Sequence, residues 1–531
     1  MRFFEEWMVE IKHLRNLAGI ISFRHIFYVA VLLFIVSSVQ SQDTSLNQTT
    51  KKKIELKQAD LDNIVKDPKT GKYIHHILGN VILVHNEITM LCDSAHFSPD
   101  KNQVTAFSKI HIEQGDTLDL FGDYLFYDGK SEMAFVKGNV ELIDKQTHLY
   151  TDSINYDVQN KIARYNDRGR ITNADNVLTS ILGVYYVSEN LFHFKDSVKI
   201  VNPNYVMTAD TMDYNTMSEV AYFTGPTELR GDSLYLYCEK GWYDTKKEVT
   251  SVWKNAMIDN KKQIVHGDSL FFNDSTGYGE SFRNVIIEDT VNKIAIEGNY
   301  AWYYKQPEKF MVTDMAAFIQ ISKNKDSLFL HADTIKAITI SDSTSKGYRL
   351  MRAYYGCRIF SKSLQAKCDS LSYSFKDSVI RLYTAPVIWT DENQLTSDSM
   401  AVFNKNRQTD RLELYHSAFI ASQVDTIRYN QIKGKSLTGY FKNNEVYKIN
   451  IRGAGETVYY LVDGKFVTGR NQSKCINIEI LIDKGKISDI FEYENSEGFI
   501  DPPLPANPVR LEGFNWYDQL RPRKRSDIFI K

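Results

Sequence analysis

One short signature returns through this chain at a near-constant interval, and few folds are open to a chain built that way. A small residue precedes an acidic one, and an aromatic follows the acid four positions later. Thr151-Asp152 leads to Tyr156, Ala209-Asp210 to Tyr214, Cys238-Glu239 to Tyr243 and Gly267-Asp268 to Phe272. Cys92-Asp93 with Phe97, Gly122-Asp123 with Tyr127 and Cys368-Asp369 with Tyr373 extend the series in both directions. Ser180-Ile181 with Tyr185 and Gly298-Asn299 with Tyr303 are degenerate copies, while Ala332-Asp333, Ser397-Asp398 and Gly434-Lys435 keep the small residue and lose the aromatic. The slot falls at 152, 181, 210, 239 and 268, four intervals of 29; later intervals of 31, 34, 36, 29 and 37 read as loop insertions. A period in this range means supersecondary units that bury their apolar faces only against neighbouring copies.

Half a period from several slots stand Gly79-Asn80-Val81, Gly138-Asn139-Val140 and Gly225-Pro226, which read as a second set of turns. Between the two sets the chain alternates, as in Val81-Ile82-Leu83-Val84 and Val140-Glu141-Leu142-Ile143, so each unit supplies two strands. Composition agrees: 32 Tyr and 29 Phe favour strands, and five of the 11 Pro (Pro502, Pro503, Pro505, Pro508 and Pro522) crowd into the last 31 residues. The expected fold is all-β, an elongated β-jellyroll or β-solenoid of about twelve stacked rungs of about 29 residues each. At ~4.8 Å a rung this gives roughly 58 Å of solenoid. The expected organisation is a signal peptide over 1–41, a lead-in over 42–74, the repeats over 75–445, a distal β module over 446–500 and a Pro-rich basic tail over 501–531.

The slot has a structural reading and a chemical one. A small residue suits a tight corner, the acid accepts hydrogen bonds from nearby backbone, and the aromatics stack with their counterparts in neighbouring rungs. Alternatively, stacked carboxylates hold a cation. The Gly- and Asp-rich calcium nonapeptide and the Asp-x-Asp-x-Asp-Gly loop are both missing, so no metal is expected. Cys92, Cys238 and Cys368 occupy the small-residue slot and behave as small apolar residues. Cys357 and Cys368 are near enough in sequence to pair, which leaves Cys475 among three others.

Signatures of catalysis are missing: there is no His-Glu-x-x-His, no Gly-x-Ser-x-Gly and no Gly-x-Gly-x-x-Gly after a strand. Gly434-Lys435-Ser436 resembles the end of a phosphate loop, but Tyr429 stands where its first Gly belongs. No catalytic residue and no cofactor are expected. A net charge of -2 excludes a basic nucleic-acid carrier, and 43% hydrophobic residues exclude wholesale disorder.

At the N-terminus, Arg2, Lys12, Arg15 and Arg24 precede an apolar run, Ile26 to Val36, and then Val39-Gln40-Ser41. This is the order of a cleavable export signal; the alternative, a membrane anchor, is disfavoured because eleven helical residues span only about 16 Å of a ~30 Å core. At the other end, Arg521, Arg523, Lys524 and Arg525 close the tail, which reads either as a solvated, disordered terminus or as a contact for anionic membrane or sugar phosphates.

The export signal, the Gly-Asn-Val-x-Leu openings and the closings typified by Leu149-Tyr150-Thr151-Asp152-Ser153-Ile154-Asn155-Tyr156 resemble the OstA-like family, relatives of the periplasmic lipopolysaccharide-transport bridge. The stretch from Ile451 to Tyr460, followed by Ile487-Ser488-Asp489-Ile490, is similar to the distal part of long members of Bacteroidetes type. The resemblance implies an open jellyroll whose apolar interior holds lipid acyl chains. It implies a non-catalytic protein that binds lipopolysaccharide or a related glycolipid and contributes to outer-membrane assembly, in the periplasm or at the outer membrane. Its partners would be other transport proteins docked on the solenoid's edge strands, near Gly79 and Phe441, or further copies joined end to end. Val81, Leu83, Val140, Leu142, Val198 and Ile200 are the candidate groove residues, and the same residues suit a dry core equally well. Two alternatives from other classes are an exported β-helix enzyme acting on polysaccharide and a structural or adhesive surface repeat protein.

Overall fold

Alternation builds the strands. Along Met133–Asp144, Ala134, Val136, Val140 and Leu142 are buried while Lys137 and Asn139 face solvent, which is the two-residue period of a half-buried strand. The computed structural model describes residues 53–530 except 67, 69–70, 117, 174, 233, 262, 292, 322–326, 343–344, 406–407, 444, 465, 484–485 and 503–507. The expected signal peptide, residues 1–41, lies outside the described residues, and so does the first part of the lead-in, residues 42–52.

Within the unit Lys53–Lys531 the chain is an all-β jellyroll made of one antiparallel sheet. Tyr73–His85 pairs with Ile88–Ser98, and pairing passes on to Gln103–Gln114, Leu118–Asp128, Met133–Asp144 and Thr147–Asp157 in turn. Each of these strands breaks register in its middle, between Leu78 and Val81 for the first and between Lys137 and Val140 for the fifth. The shared break folds the sheet into two leaves. Residues 73–78, 94–98, 103–107 and 124–128 belong to one leaf, and 81–85, 88–91, 110–114 and 118–121 to the other. Their apolar sides face each other.

The Gly-Asn pairs are therefore corners inside strands and not the turns between them. Gly79 and Asn80 have φ of 75° and 47°, Gly138 and Asn139 of 79° and 46°, and two successive left-handed residues opposite one partner make a bulge that bends the strand sharply. Gly and Asn bear this geometry at least cost, yet Ser108-Lys109 and Arg283-Asn284 adopt it too. The hairpin turns lie elsewhere, for example at Asn86-Glu87 and Lys145-Gln146. Each repeat thus advances two strand spacings, about 9.6 Å, twice the rise expected from one rung per repeat.

The slot acids stabilise these corners through side chains on the next strand. Asp123 accepts from Asn139 Nδ2 at 2.7 Å and Asp268 from Asn284 Nδ2 at 3.0 Å. Asp93 accepts from the Ser108 hydroxyl at 2.8 Å and from Lys109 Nζ at 3.3 Å, and the Ser108 bond leads in holding its carboxyl below the usual range. The partners expected from sequence were backbone N–H groups. The small residue before each acid is inside the bend: a Cβ at Gly122 would meet Val136, and Cys92, Ala209, Cys238 and Cys368 are buried there. Burial pushes the Cys92 thiol to about 11 and that of Cys238 to about 12.

The slot aromatics do not stack on one another. Between Tyr127 and Tyr156 stands Ala134, and between Tyr156 and Tyr185 stands Ala163, each the direct cross-strand partner of both neighbours. Two strand spacings separate the rings, and the small residue makes room for both. Phe192 replaces the alanine between Tyr185 and Tyr214, and its ring lies stacked on Tyr185 at 4.0 Å.

The degenerate copy at Ser180-Ile181 has its own solution. Tyr165 fills this corner, its hydroxyl 2.6 Å from Ser180 Oγ, and a Cβ at either Gly169 or Gly183 would fall inside the ring. Gly183 does not have a positive φ, so Gly183→Ala tests packing alone. It is expected to cost about 2 kcal/mol in urea unfolding, with most of the loss recovered in a Gly183→Ala, Tyr165→Leu double variant. Additive losses would show that the ring is not what requires the glycine.

The distal region continues the same ladder, since Glu445–Asp463 pairs with both Tyr429–Lys442 and Phe466–Asp483. The free edges lie further out than Gly79 and Phe441. Glu55–Gln58 and Leu61–Lys66 pair only with Tyr73–His85, and Lys486–Tyr493 and Glu497–Asp501 only with Phe466–Asp483, among the described residues.

Residues 508–530 form a strap over the outer face of the second leaf. Gln431 donates to the Val509 carbonyl (2.8 Å) and accepts from Leu511 N–H (2.9 Å); Gln394 does the same with the Asn515 carbonyl (2.7 Å) and Tyr517 N–H (2.6 Å). Each primary amide mimics a backbone unit, offering the strap one donor and one acceptor. Gln365 Oε1 then accepts from Arg521 Nε at 2.7 Å, and Arg525 pairs with Glu297 at 3.1 Å. Arg523 pairs with Asp518. Of the basic run, these three arginines have partners within the fold, which corrects the reading of residues 508–530 as a solvated, disordered terminus.

Candidate functional site

All six candidate groove residues face the space between the leaves. Val81, Leu83, Val140, Leu142, Val198 and Ile200 are between 0% and 2% exposed and belong to one continuous apolar cluster running from Ile54 to Leu270. The structure brings them together in a closed interior.

What closes it is a row of tyrosine hydroxyls at the side opposite the corners. The Tyr127 hydroxyl lies 2.6 Å from His85 Nδ1, the Tyr156 hydroxyl donates to Gln114 Oε1, and the Tyr185 hydroxyl donates to Asp144 Oδ2. Each tyrosine belongs to one leaf and its partner ends a strand of the other, 41 or 42 residues earlier. His85, Gln114, Asp144, Asn173 and Asn202 hold this strand-end position in successive repeats. All but Asn202 are buried, and Gln114 also donates to the Val158 carbonyl at 3.1 Å. Burial leads in pushing the Tyr127, Tyr156 and Tyr185 hydroxyls above the usual phenol range, which keeps them protonated and able to donate.

At Gly231 the same position has no side chain to offer. Beyond it the inward side chains change character. On one leaf Ile258, Val265, Ile287, Ile294 and Phe318, and on the other Phe310, Tyr373 and Ile380, point between the leaves yet are only half-buried. A second apolar cluster, Val285 to Ile480, lies behind them towards the corners. Val312, Ile335, Ala353 and Leu330 there are 0–2% exposed, so the corner side is packed while the open side is accessible. The rim is ionic: Glu308 accepts from Thr339 Oγ1 at 3.0 Å and pairs with Arg349 at 2.8 Å. The arrangement is an apolar trough with a polar lip, suited to holding a chain without hydrogen-bonding groups.

The six candidates lie in the closed part, the dry-core setting that their sequence pattern suited equally well. The half-buried lining carries the same alternation as the closed part, and the available signal was the loss of a polar strand end at Gly231 together with the lengthening of the repeats after residue 268. Among the described residues, the grouping with metal-ligand character is His111, Glu113 and Asp119 on the outer face, where His111 Nε2 lies 2.7 Å from Asp119 and the ring stacks on Phe121. None of the three is a slot acid.

The family model described as OstA-like protein matches residues 51–210. This part of the chain is OstA-like. The OstA-like segment covers under a third of the sequence, holds all six candidate residues and the tyrosine row, and ends before the half-buried lining begins. Among solved structures, the chain matches LptH, the LptA-homologous periplasmic component of the conserved lipopolysaccharide transport device from Pseudomonas aeruginosa. Identity is 15% over 25% of this chain and 79% of that one, with a TM-score of 0.14. No curated protein sequence matches the chain significantly.

Proposed function

We propose that this protein binds lipopolysaccharide or a related glycolipid by its acyl chains, along the trough that starts beyond Gly231, and passes it on without chemistry of its own. The observation that carries this reading is the row of inward apolar side chains, Ile258 to Ile380, left half-exposed between two leaves whose corner sides are fully packed. Inward alternation of this kind ordinarily ends in a dry core, as it does before Gly231. The OstA-like character of residues 51–210 supports a glycolipid as the class of cargo.

Energetics favour such a trough. Each methylene gains about 0.8 kcal/mol on leaving water, so a twelve-carbon chain faces about 10 kcal/mol if it must cross water between stations. Moving from one apolar rung to the next avoids most of that cost. The setting we infer is the periplasm, at or near the outer membrane. Both free edges suit strand addition by another transport protein or another copy: Leu61–Lys66 is exposed throughout, and Phe491 and Ile500 are 43% and 69% exposed beside the other edge. The closed rungs before Gly231 favour a second role for that half, a rigid spacer that sets how far the trough stands from the edge at Glu55.

Site-specific photo-crosslinking in living cells tests the proposal. Benzophenone side chains at Ile258, Ile287 and Phe310 are expected to give glycolipid adducts, and those at Leu83, Leu142 and Ile200 to give few or none. A folded protein that yields no adduct at any of the first three positions overturns the transport reading.

A further inference from the structure

Cys357 and Cys368 are directly opposed in the antiparallel pair formed by Cys357–Phe360 and Gln365–Cys368. Opposed residues of such a pair have Cα atoms about 4.5–5.5 Å apart, inside the range of about 4.4–6.8 Å that a disulfide spans. Both are thiols in this structure, 0% and 4% exposed, and each side chain lies within hydrogen-bonding reach of the other. The remaining cysteines face other residue types across their strands: Cys92 opposes Val81, Cys238 opposes Thr227 and Cys475 opposes Gly455. Of the five, this pair alone sits in the register a cross-link needs.

We propose that Cys357 and Cys368 close a disulfide while the chain folds, by exchange with an oxidised dithiol donor of the compartment to which the protein is exported. The thiolate of one cysteine attacks the donor's S–S bond, forming a mixed disulfide and releasing one donor thiolate. The second cysteine, deprotonated, attacks the mixed disulfide at the sulfur of the first and expels the other donor thiolate. One S–S bond is made and one broken; the pair loses two electrons and two protons, and the donor gains them as two thiols.

Timing follows from burial. The hydrogen bond with Cys368, with burial behind it, holds the Cys357 thiol far above the usual range, and both sulfurs are buried away from an incoming donor once the rung has folded. Exchange therefore belongs to the chain before this rung closes, and the finished bond is shielded from reductants. The strap runs close by, since Gly513, Asn515, Tyr517 and Leu520 line one side of a cavity of about 420 Å³ that Cys368 and Asp369 line on the other. The cross-link would fasten the hairpin that carries Gln365, the residue that receives Arg521 of the strap.

The test uses the full chain refolded from denaturant in a mixture of reduced and oxidised glutathione. The protein is acid-quenched, unfolded, alkylated with N-ethylmaleimide and weighed. Three adducts are expected without reductant and five with it, and a cross-linked peptide should join residues 357 and 368. Five adducts without reductant, or a bond joining any other pair, overturns the proposal. The folding-coupled timing predicts that protein folded in the reduced state is oxidised by glutathione at least tenfold more slowly than protein that is refolding; equal rates overturn that part. A Cys357→Ala, Cys368→Ala chain should give three adducts under every condition.

Discussion

Replacing Tyr185 by Phe is expected to lower the free energy of unfolding by about 3 kcal/mol, more than any other single hydroxyl in the row. The reason lies in its partner. Asp144 is 3% exposed, and the Tyr185 hydroxyl donates to its Oδ2. Removing that donor leaves a carboxylate oxygen with neither water nor a hydrogen bond, whereas Tyr156→Phe strands only a neutral amide that keeps its bond to the Val158 carbonyl and should cost about 1 kcal/mol. Urea unfolding of the two variants side by side measures the difference. Equal losses would mean that the Tyr185 hydroxyl does not hold the Asp144 carboxylate, and the closure of the first rungs would need another cause.

Ile287→Asp is expected to weaken acyl-chain binding about 100-fold while leaving the protein folded. Ile287 faces between the leaves, half-buried, with Val265 and Ile296 as its cross-strand partners. A charge there denies a bound chain about three to four methylene contacts at ~0.8 kcal/mol each, close to 3 kcal/mol, and 1.4 kcal/mol is a factor of ten in affinity. Because the native side chain already meets solvent, the carboxylate stays hydrated and stability changes little. The same substitution at Leu142, which is 0% exposed, would bury an unpaired charge and unfold the rungs around it. Equilibrium binding of a fluorescent acyl probe, with circular dichroism on both variants, separates the two effects. Unchanged affinity in folded Ile287→Asp protein would remove the trough as the binding site.

The period, the inward face of each strand and the small residue at each bend were legible in the sequence, because alternation and spacing are local. Val81, Leu83, Val140 and Leu142 are interior because their neighbours on either side are polar or face outward. Whether an interior is closed is not local. Leu142 and Ile287 occupy equivalent positions, and what separates them is a hydroxyl meeting a strand end some 42 residues away. Gly79-Asn80 reads equally well as a hairpin turn or a mid-strand bulge, since both require left-handed backbone. The tail's prolines indicate the lack of regular structure, which is a different matter from the lack of a partner. Its partner was nevertheless encoded: Gln365, Gln394 and Gln431 each stand four residues before a slot, at 369, 398 and 435.

That placement turns the strap into a gauge. Its hydrogen-bonding stations, 509–511, 515–517 and 521, are separated by five or six residues, and each step crosses two strands of the leaf beneath. A 29-residue unit gained or lost before Glu297 leaves every station in place. The same event between Gln365 and Gln431 would put the strap out of step with its amides. The protein can therefore change its reach freely at one end and scarcely at all at the other, so variation in length should gather in the closed, clasped half.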